Sequence, residues 1–526
     1  MGGEEDVQEE VEELGVATAR RGLIYVGGDL FSSLLTFVLL IFLARAFQPA
    51  AFGIYSIMIA FATLLNIGSN FGIGTAFRKM LPELKKDDAK AAHRILTNGY
   101  FLALLLGVVI AIAGYLASGY LAVNIYHDPS ITILLQAAAV AELLAVIYNL
   151  TVAALTGLGR VKLASISNVA YGAVGLVATV MLVGYGYGVL GAMIGLIIAY
   201  IIAALAGLAG LWKEIGFRIA KIEGREVKQL GSFSAPVVAS HLAQFGVQNF
   251  AVLFLGAITV TAVVGNYGSA YKLARIVELA ITDITFILLP AYATTLSKES
   301  IAHKIGSIYN NSIYYTSLML LPVVAYAIAT ATPLVNLFLS GSYTTAPLYF
   351  AVMIAGMSLS IIGIYAGTLI IGKGDTKKFM KYQIIAMLFQ LALVLGLTPY
   401  LQAGGVIIAL FVVTPFVLDI MYIIALREQF KFKQEFGGVG RVALAAIITW
   451  VVLYGVALGV GPASKWLILI NAAIAILIFP PLAVAVGGVG SKNLEFIRRI
   501  GDRLKPVRPV LNALINYTYI FIGRTQ

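Results

Sequence analysis

The sequence predicts an all-α polytopic membrane protein of about 14 transmembrane helices, arranged as two pseudo-symmetric six-helix lobes plus two C-terminal helices. Three observations predict this class. Only 12% of the residues are charged and 60% are hydrophobic, whereas soluble domains carry roughly 25% charged residues. Apolar runs of about 20 residues recur along the chain, and each can cross roughly 30 Å of hydrocarbon as a helix. Two segments also recur at nearly one spacing, as a duplicated lobe requires.

The apolar runs are continuous and rich in Leu, Ile, Ala and Gly, which favours helices over an alternating barrel pattern. The 53 glycines suit close helix contacts in lipid, where small residues let backbones approach each other. The predicted spans, in chain order, are 22–47, 51–78, 95–118, 131–156, 163–184, 188–212, 230–256, 260–292, 306–338, 345–371, 382–400, 404–427, 439–460 and 465–486.

The basic residues predict that both termini are cytoplasmic. All but four of the 36 Lys and Arg residues fall in segments that this orientation places on the cytoplasmic side. Arg45 and Lys465 lie in outer loops, and Lys272 and Arg275 lie inside a predicted span. Such a bias is the positive-inside pattern of a multi-pass cytoplasmic-membrane protein with an even number of spans. The net charge of +11 therefore indicates topology and attraction to anionic lipid, and no nucleic acid is expected as a partner.

An internal repeat supports the two lobes. Phe52–Leu65 resembles Val264–Val277 at a shift of 212 residues, and Leu155–Lys162 resembles Leu369–Lys378 at a shift of 215. Because six spans is an even number, both copies face the same way, which is one of the repeat classes of secondary transporters. The predicted domains are an acidic cytoplasmic head (1–21), an N-lobe (22–212), a cytoplasmic linker (213–229), a C-lobe (230–427), two further helices (428–490) and a basic cytoplasmic or interfacial tail (491–526).

Polar residues inside the predicted spans are the candidate site. A charge near the bilayer centre costs at least about 2.5 kcal/mol, so such groups normally face a cavity or a partner. Under the 212-residue shift, the polar positions of spans 1 and 2 correspond to those of spans 7 and 8, which predicts a water-filled cavity between the lobes. The candidates are Asp29, Asn66, Asn70, Glu142, His241, Gln244, Gln248, Tyr271, Lys272, Arg275, Glu278 and Asp283.

Each ionisable candidate also has a structural interpretation. Arg275 and Glu278 are three residues apart and could form a local ion pair. Lys272 would then need Asp29 or Glu142 across the cavity, unless it binds substrate. His241 is either a proton switch near neutral pH or a hydrogen-bonded packing residue. The isolated acids include Asp419 in span 12, for which a structural role is favoured over a functional one, as it is for Glu142.

The sequence contains no signature of a catalytic or metal site. No phosphate-binding loop with its Lys is present, the four histidines are scattered, and no segment outside the spans is large enough for a nucleotide-binding domain. The chain has no cysteine, so disulfides and thiolate metal sites are excluded. We therefore expect neither an enzyme nor a cofactor, with coupling to H⁺ or Na⁺ as the open alternative.

The segment Leu43–Glu83 resembles the first helical hairpin of the Wzx-type polysaccharide flippases, a branch of the multidrug/oligosaccharidyl-lipid/polysaccharide exporter (MATE-containing) superfamily. Span 8 is similar to the corresponding helix of that family, although Asp283 has no counterpart there that we can align. The residues that carry the resemblance are Ala44, Arg45, Pro49, Phe52, Gly53, Tyr55, Ser56, Phe71–Gly74, Tyr267, Ala270, Tyr271, Lys272 and Pro290.

The resemblance implies alternating access by rocking of the lobes, moving a polyprenyl-diphosphate-linked glycan from the inner to the outer leaflet. Lys272 and Arg275 would bind the diphosphate, since cations form charge-assisted bonds with phosphate oxygens. Asn, Gln and Tyr side chains suit sugar hydroxyls. Asp29, Glu142 or His241 would couple the cycle to an ion. Membrane lipids are expected partners, and glycan polymerase or ligase proteins are candidates.

Two competing functions stay open at the sequence level. A multidrug-cation antiporter of the same superfamily should present net negative charge in its cavity, whereas Lys272 and Arg275 lie deeper in span 8 than its two acids. A scaffold subunit of a glycan-assembly complex would gain nothing from ionisable groups inside the membrane.

Overall fold

The computed structural model describes residues 2–525 except 88, 216–220, 223, 277–304, 374, 431, 433 and 502–507. Every regular element in this part of the chain is helical, which confirms the all-α polytopic class. The helices are α1 (Gly2–Asn70), α2 (Ile73–Asp87), α3 (Ala89–Tyr120), α4 (Thr132–Gly157), α5 (Val161–Leu182), α6 (Gly188–Ile215), α7 (Gly224–His241), α8 (Val247–Ile258), α9 (261–276), α10 (Ile305–Ala329), α11 (Ala331–Phe338), α12 (Ala346–Leu359), α13 (Ile361–Gly372), α14 (Thr376–Leu401), α15 (Ala403–Ile407), α16 (Thr414–Phe430), α17 (Gly437–Val460), α18 (Trp466–Ala485), α19 (Ser491–Gly501) and α20 (Arg508–Thr525).

The predicted spans fall on these helices. Within the described residues, nine helical stretches are long and apolar enough to cross a membrane, or ten when the bent pair α12–α13 is one span. The stretches Gly27–Asn70 and Val161–Lys213 each contain two predicted spans. They are interrupted by Gln48 (φ 58°) and by Gly186 (φ 90°). The second half of span 8 lies outside the described residues, and the total of 14 crossings stays a prediction.

Contacts divide the chain into two compact units, Met1–Gly265 and Asn266–Gln526. The first unit is longer than the predicted N-lobe (22–212), because α7 and α8 pack on it. Lys79 of α2 lies over the Phe233 ring of α7, 4.9 Å from its centre. The boundary of the sequence repeat itself stays a prediction.

A buried carboxylate joins α7 to α3 at the end that the orientation places in the cytoplasm. Glu226 accepts from Arg94 Nε at 2.7 Å through Oε1 and from Asn98 Nδ2 at 2.8 Å through Oε2. Asn98 is fully buried and Glu226 is 9% exposed. Both oxygens of the carboxylate are thus occupied, which is the condition under which a buried charge is tolerated. The pair explains why the predicted linker ends in ordered helix.

Two of the hydrophobic clusters in the second unit each join several helices. One joins α10, α13 and α16 around Tyr309, Tyr365 and Tyr422. The other joins α10, α17 and α18 to the C-terminal tail. In that cluster the Tyr517 hydroxyl donates to the Leu477 carbonyl at 2.8 Å. The tail helix α20 therefore packs along α18, and an interfacial position for the predicted basic tail stays a prediction.

Two glycines that the repeat makes equivalent meet within the first unit. A Cβ atom on Gly53, in the part of α1 after Gln48, would overlap the Thr261 carbonyl oxygen of α9. A Cβ atom on Gly265 would overlap the Pro49 carbonyl oxygen. The contact is reciprocal, because the 212-residue shift converts Pro49 into Thr261 and Gly53 into Gly265. The first turn of α9, up to Gly265, is thus held against α1 by a backbone-to-backbone contact that only glycine permits.

We expect Gly53→Ala to destabilise the protein by about 1–3 kcal/mol, because the added methyl meets backbone that cannot rotate away. Gly455→Ala in α17 and Gly396→Ala in α14 are matched controls, since a Cβ atom there meets nothing within 4 Å. The measurement is the free energy of unfolding in mixed micelles. Equal unfolding midpoints for Gly53→Ala and the two controls would contradict the close contact.

Candidate functional site

In the first unit, Asp29 belongs to a hydrogen-bond chain across three helices. Asn168 of α5 donates through Nδ2 to Asp29 Oδ1 at 3.1 Å. The Tyr148 hydroxyl of α4 donates to Asn168 Oδ1 at 2.9 Å. Ser32 of α1 donates to the Asn168 backbone carbonyl at 2.7 Å. Asp29 itself is exposed, whereas Asn168 is buried. The carboxylate is therefore accessible on one side and fixed by a buried amide on the other.

Two further tyrosines, Tyr171 and Tyr200, extend this chain within the first unit. The ring centroids of Tyr148 and Tyr171 are 5.2 Å apart, and those of Tyr171 and Tyr200 are 5.1 Å apart, both in stacked geometry. Sequence analysis missed Asn168 and Tyr148. The available signal was the polar run Ser165, Ser167 and Asn168 inside an otherwise apolar span.

The candidate residues of span 2 have different surroundings in the structure. Asn70 accepts from the Gly74 N–H at 3.4 Å, across a break at Phe71 (φ 44°) and Gly72 (φ 68°). Asn70 thus caps the first turn of α2, a structural role that the sequence interpretation did not include. The Nδ2 atom of Asn66 is buried and makes no hydrogen bond with a described residue. The buried Glu142 faces Ser69, one turn after Asn66.

In the second unit, Tyr271 and Arg275 lie one turn apart on the same face of α9, with Lys272 next to Tyr271 in the chain. Arg275 Nη1 donates to the Tyr271 hydroxyl at 3.0 Å. The Tyr271 ring packs between Tyr267, at 6.5 Å, and Phe411, at 5.9 Å. Lys272 is half-buried and Arg275 is exposed. Two cations and a hydroxyl are thereby brought together in the described part of the second unit.

The span 7 candidates are less informative. His241 is half-buried, packs at 6.3 Å from the Phe245 ring and lies near Arg78. Gln248 is half-buried on α8. The side chain of Gln244 and the residues Glu278 and Asp283 lie outside the described part of the chain, so the predicted pairing of Arg275 with Glu278 stays a prediction. So does the pairing of Lys272 with Asp29 or Glu142.

Asp419 has the structural role that its isolation in the sequence favoured. It is 8% exposed and its carboxylate accepts from the Gly363 N–H. Gly363 lies in the first turn of α13, just after the 42° bend between α12 and α13. The first turn of a helix has free N–H groups and a positive dipole end, both of which a carboxylate satisfies.

The geometry provides an accessible acid on a tyrosine-rich chain in the first unit and a cationic turn in the second. Among the residues that the structure describes, no group of three or more His, Asp and Glu side chains could hold a metal ion. These groups are suited to binding a charged ligand rather than to covalent chemistry. Together with the helical architecture, they define a polytopic membrane protein with charged groups inside its predicted spans.

Comparison with known proteins agrees. The profile of the family described as polysaccharide biosynthesis protein matches residues 19–296, and the chain belongs to that family. Among solved structures, it resembles the lipid II flippase MurJ in an inward closed conformation (TM-score 0.70, 14% identity, 88% of this chain and 98% of that one). It also resembles an inward-facing multidrug resistance MATE transporter of the MOP superfamily (TM-score 0.62, 18% identity, 78% and 98%).

A third similar structure is a MOP superfamily transporter from Pyrococcus furiosus described by the reverse polarity of its binding pocket (TM-score 0.53, 19% identity, 78% and 95%). No match is found among curated proteins. At these identities the solved structures show a shared fold. The family match and the fold together confirm the resemblance to Wzx-type flippases of that superfamily.

We expect Asn168→Ala to cost about 1–3 kcal/mol of unfolding free energy, because it leaves the buried Tyr148 hydroxyl without its acceptor. Tyr148→Phe removes the same hydrogen bond from the other side. The double variant should therefore lose less than the sum of the two single losses, as measured by a double-mutant cycle in mixed micelles. Strict additivity would show that the two side chains are not coupled.

Proposed function

We propose that the protein is a flippase that moves polyprenyl-diphosphate-linked oligosaccharide across the cytoplasmic membrane by alternating access, for assembly of cell-surface polysaccharide or glycoprotein glycan. The observation that carries the proposal is the cationic turn of α9, where Lys272 and Arg275 lie with Tyr271 inside a predicted span. Family membership supports a role in polysaccharide biosynthesis. The fold is shared with a lipid II flippase.

The chemistry of the cationic turn suits a diphosphate. Guanidinium and ammonium groups form short charge-assisted bonds with phosphate oxygens, and the planar guanidinium can bind two oxygens at once. The Tyr271 hydroxyl accepts one Arg275 N–H at 3.0 Å and so helps to orient the guanidinium. Since the Tyr271 ring is itself packed against Phe411, the arginine is oriented from a rigid base.

The remaining polar candidates complete the proposal. Gln244, Gln248 and Asn66 are assigned to sugar hydroxyls, with Asn70 in a supporting position because it already caps α2. Asp29 is the candidate for H⁺ or Na⁺ coupling, since its exposed carboxylate is held by Asn168. His241 beside Arg78 is a second candidate. Membrane lipids, and glycan polymerase or ligase proteins, are the proposed partners.

A cation-coupled multidrug antiporter is the second candidate function. The accessible Asp29 carboxylate favours it, since a cationic drug would be attracted to an acid with a free face. The cationic turn opposes it, because Lys272 and Arg275 would repel such a substrate. The two functions therefore differ in which charge is essential for recognition. A scaffold role would require neither charge.

We expect Lys272→Ala and Arg275→Ala each to reduce translocation about tenfold or more, because a hydrogen bond to a charged group contributes about 1.5–3 kcal/mol. The assay is reconstituted vesicles loaded with polyprenyl-diphosphate-linked oligosaccharide, with outward exposure of the glycan as the readout. Tyr271→Phe should have a smaller effect, because it removes one hydrogen bond to the Arg275 guanidinium and leaves both cations in place.

Arg441→Ala is a matched control, because Arg441 on α17 is an exposed arginine that donates to the Gly487 carbonyl. It should translocate like the unmodified protein. Wild-type translocation by both α9 variants would overturn the diphosphate assignment. Efflux of a cationic dye that is lost in Asp29→Asn and kept in Lys272→Ala would support the antiporter instead.

A further inference from the structure

A hydrogen bond of the C-terminal helix α20 fixes its position along a membrane span. The Tyr517 hydroxyl of α20 donates to the Leu477 carbonyl of α18 at 2.8 Å. Leu477 lies 11 residues after the first residue of α18 and 8 before its last, so the nearer end of that helix is about 12 Å away. Because α18 is long and apolar enough to cross a membrane, Leu477 lies near the middle of the hydrocarbon layer.

A proline explains why this carbonyl needs a partner from another helix. In an α-helix, each carbonyl accepts a hydrogen bond from the N–H four residues later. The residue four positions after Leu477 is Pro481, which lies inside α18 and has no N–H. A backbone carbonyl without a donor is costly in hydrocarbon, where no water can replace the missing hydrogen bond. The Tyr517 hydroxyl supplies the donor that Pro481 removes.

One face of α20 packs on the protein. Apolar residues of this face belong to the hydrophobic cluster that α20 shares with α10, α17 and α18. They recur every three or four residues, as the packed face of a helix requires. Four of them are Leu511, Ile515, Tyr519 and Ile522. Thr518 is 6% exposed and donates its hydroxyl hydrogen to the Leu514 carbonyl at 2.7 Å, as hydroxyl side chains inside apolar helices do.

The opposite face of α20 is exposed and largely apolar. Val510 is 64% exposed and Ile520 is 55% exposed. Pro509, Ala513 and Asn516 are also exposed. The amide of Asn516 is uncharged and costs far less to place in hydrocarbon than an ionised group. At the depth that the Leu477 carbonyl sets, lipid acyl chains are the partner that suits this face.

The preceding helix, α19, has a different character. Leu494 and Ile497 are buried in the same cluster, whereas the exposed side chains include Lys492, Arg498 and Arg499. A helix with an apolar inner face and cations outward suits the headgroup level, where the cations meet lipid phosphates. The two helices of the tail therefore suit different layers of the membrane.

We propose that α20 is a membrane-inserted helix, which satisfies the Leu477 carbonyl through Tyr517 and presents its exposed face to lipid acyl chains, while α19 stays at the headgroups. The tail that the sequence predicts as cytoplasmic or interfacial is thereby divided into an interfacial helix and an inserted one. The proposal does not depend on which substrate the protein moves.

The first test measures the depth of α20 directly. Since the chain has no cysteine, a single introduced cysteine can carry a spin label without background. Ile520→Cys is the test position in lipid nanodiscs. Ile476→Cys is the hydrocarbon control, because Ile476 is 55% exposed on α18 and precedes Leu477. Glu495→Cys is the water control, because Glu495 is exposed on α19.

The readout is the ratio of collision rates with oxygen, which concentrates in hydrocarbon, and with a water-soluble nickel chelate. We expect the ratio at Ile520 to lie several-fold above that at Glu495 and close to that at Ile476. A ratio nearer to the Glu495 value would overturn the insertion of α20. Low collision rates with both reagents would mean that protein covers this face, which would overturn the assignment to lipid.

The second test examines the hydrogen bond between the two helices. We expect Tyr517→Phe to accelerate amide hydrogen exchange in α20 about tenfold in nanodiscs, because an interhelical hydrogen bond in lipid is lost. Pro481→Ala restores a helical donor to the Leu477 carbonyl, so Tyr517→Phe should accelerate exchange much less in that background. Equal acceleration in both backgrounds, or none in either, would contradict the role of Tyr517. The spin-label variants keep Tyr517, so the insertion can be tested even if Tyr517→Phe folds poorly.

Discussion

Every polar group inside a hydrocarbon layer must find its partner within the protein, and this constraint organises the structure. The backbone satisfies it by being helical over most of the described spans. Hydroxyl side chains satisfy it by donating to the carbonyl one turn earlier, as Thr63 does to Ile59 and Thr151 does to Ile147, both at 2.7 Å. Such groups add little cost to a span, because their hydrogen bonds are local.

Polar side chains that find no partner on their own helix mark the places where the structure is strained. Asp419 accepts from the Gly363 N–H just after the bend between α12 and α13, so it supports a broken helix at depth. Asn168 holds one side of an exposed carboxylate and leaves its other side accessible. Glu142 and Asn66 differ from these, since both carboxyl oxygens of Glu142 and the Nδ2 atom of Asn66 are buried and make no hydrogen bond with a described residue. A buried polar group without a hydrogen bond is costly, and such groups are found most often where a protein changes state.

Helix positions followed directly from hydropathy, because each span must be long and apolar to enter the membrane at all. Lys272 and Arg275 were also visible in the sequence, since charges inside spans are rare. Asn168 and Tyr148 were missed because they are uncharged, and the apolar residues around them dominate any average of hydropathy over the span. Asn70 was assigned to substrate because the backbone break after it, which turns its side chain into a cap, depends on the dihedral angles of Phe71 and Gly72. The packing of α7 on α3 through Glu226 required knowledge of which helices meet.

The reciprocal contact of Gly53 with Gly265 has the form of an isologous interface, in which the same patch on two copies meets itself. Two identical subunits that meet in this way would have to carry every substitution twice. Joining the copies in one chain removes that requirement everywhere except at the contact, where both positions must remain glycine. One copy could then acquire the acid and the tyrosines while the other acquired the lysine and the arginine. The Asp29 hydrogen-bond chain of the first unit and the cationic turn of the second are such differences between the two predicted copies.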